Sequence, residues 1–338
     1  MGRNDTVVGW TIAQLLICSL AALLDFLIGD PVDWLHPVQV MGWAIARYTK
    51  EVLARFKSPV AQRMAGVILG MGLILGSGAA GWLIGEMARQ IHPLLERGVG
   101  VILLASCFAT RSLRNAAESV LEPLRAGNLD GARSLLSRYV GRDTANLTEP
   151  EILRAVLETV TENATDGAMA PLFYALVGAA LPGIGSVPLA LAYKAASTLD
   201  SMVGYREPPY TYLGWFSARV EDGLTWLPCR LTVLTLSLIS GRPFRVWRIC
   251  LRDAPEDPSP NSGWSECAYA VVLGVQMGGT NYYRGVAKQK PLLGDAIEAI
   301  APSKIEQALR LTRYCFLSWL GIALLGFSLL FEPIALKP

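Results

Sequence analysis

Glu158, Glu162 and Asp166 recur at four-residue intervals. On a 3.6-residue helix each is turned about 40° from the last, so the three form one carboxylate stripe, with Asn163 beside it. A solvated helix face is the plain account of such a stripe. For Glu158, an ordinary i,i+4 ion pair with Arg154 serves as well as any chemistry. Glu162 and Asp166 differ, because the stripe runs straight into a segment that carries no charge from Gly167 until Lys194. Ionisable groups at a membrane boundary are costly and usually functional. Hard oxygen ligands so placed suit Mg²⁺, which is held through one or two carboxylates plus substrate phosphates.

Other polar clusters punctuate the apolar sequence. In YKAASTLDSMVGYR, Lys194 and Asp200 interrupt a helix expected to end at Gly204, although a lone lysine there also fits one that snorkels to the interface. Arg219, Glu221, Asp222 and Arg230 surround the start of the apolar segment Leu224–Ile239, where an arginine calls for an anion or a carboxylate. RDAPEDPSPNSGWSE gathers Arg252, Asp253, Ser259, Asn261, Ser262 and Glu266 around the start of an apolar helix. Backbone N–H groups at such a start can cradle phosphate, while a surface turn is the plainer alternative. GGTNYYRG repeats the theme with glycines, Asn281 and Arg284. Near the N-terminus, LLDFLIGDPVDWLHP places Asp25, Asp30 and His36 after an apolar run, and a single histidine there is more often structural than catalytic.

Membrane helices must position these groups. The 338 residues are 52% hydrophobic and only 17% charged, below the ~25% of soluble domains, and the mean hydropathy is +0.37. Val7–Leu24, Met64–Gly85 and Tyr314–Phe331 are apolar enough to approach the ~20 residues a bilayer requires. The first is longer than the usual signal-peptide core of ~7–15 residues and is read as a retained helix. Gly98–Thr110, with the residues before it, predicts a further crossing. Gly167–Tyr193 and Leu224–Ile239 contain prolines, glycines or Arg230, and predict hairpins or broken helices rather than clean crossings. TEPE, Thr148 to Glu151, is a capping box whose helix should run to about Asp166, and Leu129–Val140 should form a helix capped at Gly141.

The expected fold is therefore an all-α polytopic membrane protein with broken or re-entrant apolar segments and cytoplasmic amphipathic helices. It is read as one membrane-embedded domain over 1–338, with a cytoplasmic helical segment at 111–165 and a largely cytoplasmic segment carrying the polar site loop at 241–313. Lys and Arg are concentrated in Asp25–Arg63, Arg111–Thr165 and Arg284–Arg313, which places these in the cytoplasm and both termini outside.

Some patterns exclude functions. Gly76-Ser-Gly78-Ala-Ala-Gly81 matches G-x-G-x-x-G but falls within a membrane helix, not between a strand and a helix. With Gly66/Gly70 and Gly72/Gly76 it reads as a small-residue packing face. The six cysteines are scattered without a zinc or disulfide spacing. The net charge of +2 carries no basic stripe with interleaved aromatics, which argues against nucleic acid.

In order along the chain, DFLIGDP with HPV, ENATDGAMAPLFYAL, LALAYKAASTLDSMVGY, and RDAPEDPSPNSGWSE followed by LGVQMGGTNYY are similar to the adenosylcobinamide-phosphate synthases, a membrane family of cobalamin biosynthesis. The resemblance spans Leu23 to Gly285. Glu221-Asp222 stands where an Asp pair is common in that family, and Ala164-Thr165 fills the ENxxDG string. The resemblance implies an ATP-dependent ligase in the plasma (inner) membrane, its site facing the cytoplasm. It would join adenosylcobyric acid to an aminopropanol or its O-phosphate, with Mg²⁺ and ATP as partners in the reaction. It further implies that Glu162, Asp166 and Asp200 hold Mg²⁺ or that one of them serves as base. On the same ground Lys194, Arg219 and Arg252 neutralise phosphates. Ser259, Asn261, Ser262 and Asn281 orient substrate, with Asn163, Asp222, Asp253 and Glu266 in the same lining. A homo-oligomer is compatible with this reading. The rival reading is a transporter, or a corrin carrier or scaffold, since broken helices with buried charges also build transporters.

Overall fold

The structure is a computed structural model, and it describes residues 3–29 and 36–335. Asp30 lies outside the described residues.

The elements run in the order α1 (Arg3–Leu27), α2 (Pro37–Arg55), α3 (Pro59–Ile91), α4 (Pro93–Ala105), α5 (Thr110–Arg125), α6 (Leu129–Leu136) and α7 (Glu149–Asn163). A π-helical turn (Ala164–Met169) leads into α8 (Ala170–Ala179), α9 (Ser186–Val203), α10 (Trp215–Ile239) and α11 (Pro243–Asp253). After a 3₁₀ turn come α12 (Ser262–Leu273), strands β1 (Met277–Tyr283) and β2 (Val286–Leu293), and α13 (Pro302–Ala335). The chain is a mostly helical polytopic membrane protein. Among the described residues, four stretches are long and apolar enough to cross a membrane: Val8–Leu27, Pro59–Ile91, Pro93–Arg125 and Pro302–Ser328. The third is interrupted at 106–109, between α4 and α5. In the apolar window of Pro59–Ile91 only 17% of the residues are buried, so most of that face needs lipid.

The contacts divide the chain into two compact units, one of Met1–Ala109, Ala170–Leu224 and Leu317–Pro338, the other of Thr110–Met169 and Thr225–Phe316. In the first unit, α3 packs on α9 through the absence of side chains. A Cβ on Gly81 would come within 2.7 Å of Leu191, and one on Gly78 within 3.2 Å of the Pro188 carbonyl oxygen. Gly66 and Gly70 likewise admit Leu213 and Phe216, whereas Gly72 and Gly76 face open space. The expected packing face is thus real but narrower than the glycine count suggests. Helices α8 and α9 form the hairpin that the prolines and glycines implied. It closes where Gly178 accepts the backbone of Gly185, itself at φ +91°. Helix α9 ends at Gly204 as expected.

Other stretches depart from the sequence reading. Leu224–Ile239 is no hairpin: it belongs to the single helix α10, with Pro228 inside it. Helix α6 stops at Leu136 and is capped by Ser137, short of Gly141. The capping box forms, with the Glu151 carboxylate accepting from the Thr148 N–H and hydroxyl, both at 2.7 Å. However, α7 ends at Asn163, and the π turn that follows breaks the regular stripe before Asp166. Gly278–Gly285 forms most of β1 and the turn that follows it. The antiparallel register pairs Thr280 with Gln289 and Tyr283 with Val286. Arg284 and Gly285 both take positive φ, the requirement of a two-residue hairpin turn that follows the strand twist.

Candidate active site

The second unit brings together α7, the π turn, the 257–261 loop, α12 and the hairpin. Thr165 and Ser265 hydroxyls meet at 2.8 Å, and Ser265 donates to the Thr161 carbonyl at 2.6 Å, which fixes α7 against α12. Gly263 is required where the 254–257 turn folds onto the start of α12, because a Cβ there would lie 2.5 Å from Asp257.

Glu158 is not on a solvated face. It is 1% exposed, and it joins α7 to the hairpin. Its carboxylate accepts from Arg142 Nη2 at 2.5 Å and from the Gly278 N–H at 2.9 Å. Arg154 lies 3.9 Å from it, and donates instead to the Gly278 and Thr280 carbonyls and to Asn281. The Oδ1 of buried Asn281 also accepts from Arg142 at 2.9 Å, so Asn281 is part of this knot.

One turn on, charge is less well balanced. Glu266 is fully buried on α12, and Lys290 of β2 donates to both its oxygens at 2.6 and 2.9 Å. Burial pushes the Glu266 carboxyl well above the carboxylate range, Lys290 opposing and Glu162 and Glu158 reinforcing. Glu162 is exposed at the surface, with neighbouring protein displacing water around its carboxyl. Burial raises its carboxyl, and Asp257 and Glu158 add to the shift against Lys290 and Arg142. Asn163 is exposed beside it, its amide donating to the Thr159 carbonyl at 2.9 Å. Asp166 is half-buried in the π turn.

The loop ahead of α12 is preformed by its own side chains. Asp257 accepts from the Ser259 N–H at 2.9 Å and the Ser262 hydroxyl at 3.2 Å. Ser259 Oγ accepts from the N–H groups of Asn261 and Ser262. Those two amides, expected to cradle phosphate, are therefore held by a hydroxyl. Arg230 donates to the Pro260 carbonyl and to Asn261, and lies 4.4 Å over the Trp264 ring. Arg252 is engaged by Asp253 and Asp295, while Asp253 also accepts from the Gly294 N–H at 2.9 Å.

Lys194, Asp200, Arg219 and Asp222 belong to the first unit. Lys194, Asp200 and Asp222 are half-buried and Arg219 exposed, and the Asp200 carboxylate lies against Gly204, where a Cβ would meet it at 1.9 Å. The buried member of the Glu221-Asp222 pair is Glu221, 3.5 Å from the Tyr193 hydroxyl. His36 caps α2, its Nδ1 accepting from the Val38 N–H at 3.2 Å.

Sequence reasoning missed Lys290, Arg142 and the buried role of Glu158. Lys290 sits in VAKQKPLL, whose charges hide the strand, and Arg142 carries no motif. No group of three His, Cys, Asp or Glu close enough to hold a metal occurs among the described residues. An all-protein cage is thus not built there. The oxygen donors of Glu162 and Asp166 still fit a Mg²⁺ that arrives with phosphates, since both are hard ligands and Glu162 is exposed.

A family model described as CobD/Cbib protein matches residues 18–312. The Cobalamin biosynthesis protein CobD of Synechocystis sp. is 54% identical over 302 residues, covering 89% of this chain and 88% of the relative. CobD of Geobacter metallireducens is 44% identical, over 83% of this chain and 86% of the relative. The Cobalamin biosynthesis protein CbiB of Salmonella arizonae is 40% identical, over 90% and 92%. No solved structure matches the chain. With a family match over most of its length and relatives this similar across nearly their whole sequences, the chain belongs to the CobD/Cbib family.

Proposed function

We propose that this protein acts in cobalamin biosynthesis as an ATP-dependent amide ligase, joining adenosylcobyric acid to aminopropanol O-phosphate at the cytoplasmic face of the inner membrane. The observation that carries the reading is Glu162, a solvent-reaching carboxylate with a raised affinity for protons, next to the buried Glu266–Lys290 pair. The names of the relatives support the pathway.

A carboxylic acid does not condense with an amine in water at useful rates. ATP would phosphorylate the corrin carboxylate, releasing ADP and leaving an acyl phosphate. The amine arrives as an ammonium and must lose a proton before it attacks. A carboxylate with raised pKa is the better base, so Glu162 would take that proton. The amine would then displace phosphate and form the amide. Lys290, fixed by Glu266, supplies positive potential to the same surface, and Ser259, Asn261 and Ser262 would orient substrate. With Glu162 as the base, Asp166 and the substrate phosphates would hold Mg²⁺, whose contribution is to neutralise phosphate charge.

The test is ADP release by purified, detergent-solubilised protein given Mg-ATP, adenosylcobyric acid and aminopropanol O-phosphate, with each omitted in turn. Release that needs all of them, with a matching corrin amide, is the expected result. Saturable corrin binding without turnover would replace the ligase by a carrier.

A further inference from the structure

A crevice of about 210 Å³ lies wholly within the first unit, between α1, α3, the start of α4 and the α8–α9 turn. It sits where apolar spans end: Trp10 is near the start of Val8–Leu27, Glu86 and Arg89 near the end of Pro59–Ile91, and Glu96 near the start of Pro93–Arg125. That is the depth of lipid headgroups. Gly85 opens it, since a Cβ there would meet nothing within 4 Å.

Most polar groups lining the crevice are satisfied. Gln14 Oε1 accepts from the Ser186 N–H at 2.9 Å, Trp82 Nε1 donates to the Gly183 carbonyl at 3.0 Å, and Glu86 pairs with Arg89 at 2.8 Å. Two are not. The Trp10 indole N–H is buried without an acceptor among the described residues. The half-buried Glu96 carboxylate has no hydrogen bond or close ion pair among them, Arg89 and Arg97 acting on it only at longer range.

An unmet donor and an unmet anion in one crevice, with an arginine at its rim, call for a zwitterion that brings an acceptor oxygen and an N–H-bearing cation. We propose that this crevice binds the phosphoethanolamine headgroup of a membrane phospholipid. The ammonium meets Glu96, the phosphate oxygens accept from the free edge of Arg89, and a turn of the Trp10 ring that uncovers its buried N–H adds a second donor. A choline headgroup has the charge but no N–H to donate, and a glycerol headgroup has no cation. The same chemistry exists in soluble O-phosphoethanolamine, but the position at span ends commits the site to the lipid.

The full-length protein in nanodiscs of phosphatidylcholine is titrated with phosphatidylethanolamine or phosphatidylglycerol, and retained lipid is read by native mass spectrometry alongside Tm. Phosphatidylethanolamine should be retained about tenfold over phosphatidylcholine, the worth of one charge-assisted hydrogen bond, and should raise Tm. Glu96→Gln and Gly85→Leu should each abolish that preference while leaving Tm in pure phosphatidylcholine at the wild-type value. Trp10→Phe, which keeps the ring and removes the N–H, should weaken it. Equal retention of the lipids, or a preference unchanged in Glu96→Gln and Gly85→Leu, overturns the proposal. So does stabilisation by soluble O-phosphoethanolamine that matches the lipid's, which would make this a solute site.

Discussion

Glu158 and Glu162 are one helical turn apart on α7, and their surroundings could hardly differ more in charge. Glu158 is sealed from water with Arg142 against one oxygen, a backbone N–H against the other, and Arg154 close by. Glu162 makes no ion pair of its own: Lys290 is bonded to Glu266 and Arg142 to Glu158, and both act on Glu162 from further off, against Asp257 and Glu158. The contrast shows how one helix face divides its labour. A carboxylate with more cation than it needs is a fastener, while one with less is available to bind a proton, a metal ion or a substrate amine.

The largest effect is expected at the fastener. Glu158→Ala leaves two guanidinium groups without their anion, and breaking a buried pair in this way costs about 3–5 kcal/mol. Thermal unfolding in detergent should show a large loss of stability, and near-wild-type unfolding would remove the distinction drawn above. Next comes Glu162→Gln, which should lower ligation by about 10²-fold or more while the unfolding midpoint stays close to wild type. A loss of fold together with activity would make Glu162 a second fastener.

Lys290→Met sharpens the comparison further. Without the ammonium, Glu162 binds its proton more tightly, so the acid limb of the rate–pH profile should move to higher pH. Pairing it with Glu266→Gln should restore part of the lost stability, because the second change removes the stranded carboxyl; additive losses would show that the two residues do not act as a pair. The smallest effect is on stability against pH. Glu162 and Glu266 are raised in the folded protein, so the fold binds more protons than the unfolded chain between the ordinary value of 4.5 and their folded values. Stability should therefore fall as pH rises from about 4.5 through the folded values, and Glu162→Gln should flatten that slope.

What could be read from the sequence was local. The TEPE box satisfies its own backbone within four residues, Gly204 ends α9, and apolar runs of sufficient length mark membrane spans without reference to anything distant. The hairpin was hidden because its stabilising partners are far away in the chain. Arg154 binds Gly278 and Thr280 across more than a hundred residues, and β2 presents charged, mostly exposed positions instead of an apolar alternation. Pro228 misled for a different reason: it lies inside α10 without breaking it. The stripe set Glu162 and Asp166 apart from Glu158, but the cation that Glu266 binds and Glu162 feels was illegible there, since it arrives on β2.

That strand is secured at both ends. Asp143 accepts from the Arg284 and Gly285 N–H groups at the turn, and Asp253 takes the Gly294 N–H just past Leu293. Lys290 thus rides on a clamped beam rather than a swinging arm. Its ammonium is ordered when the protein folds, so in the proposed ligase that entropy is not lost again at each turnover. The beam also sets the geometry of error: a residue inserted into the Arg284–Gly285 turn would disturb the anchor at Asp143, and Lys290 should drift out of register while the rest of the unit stays folded.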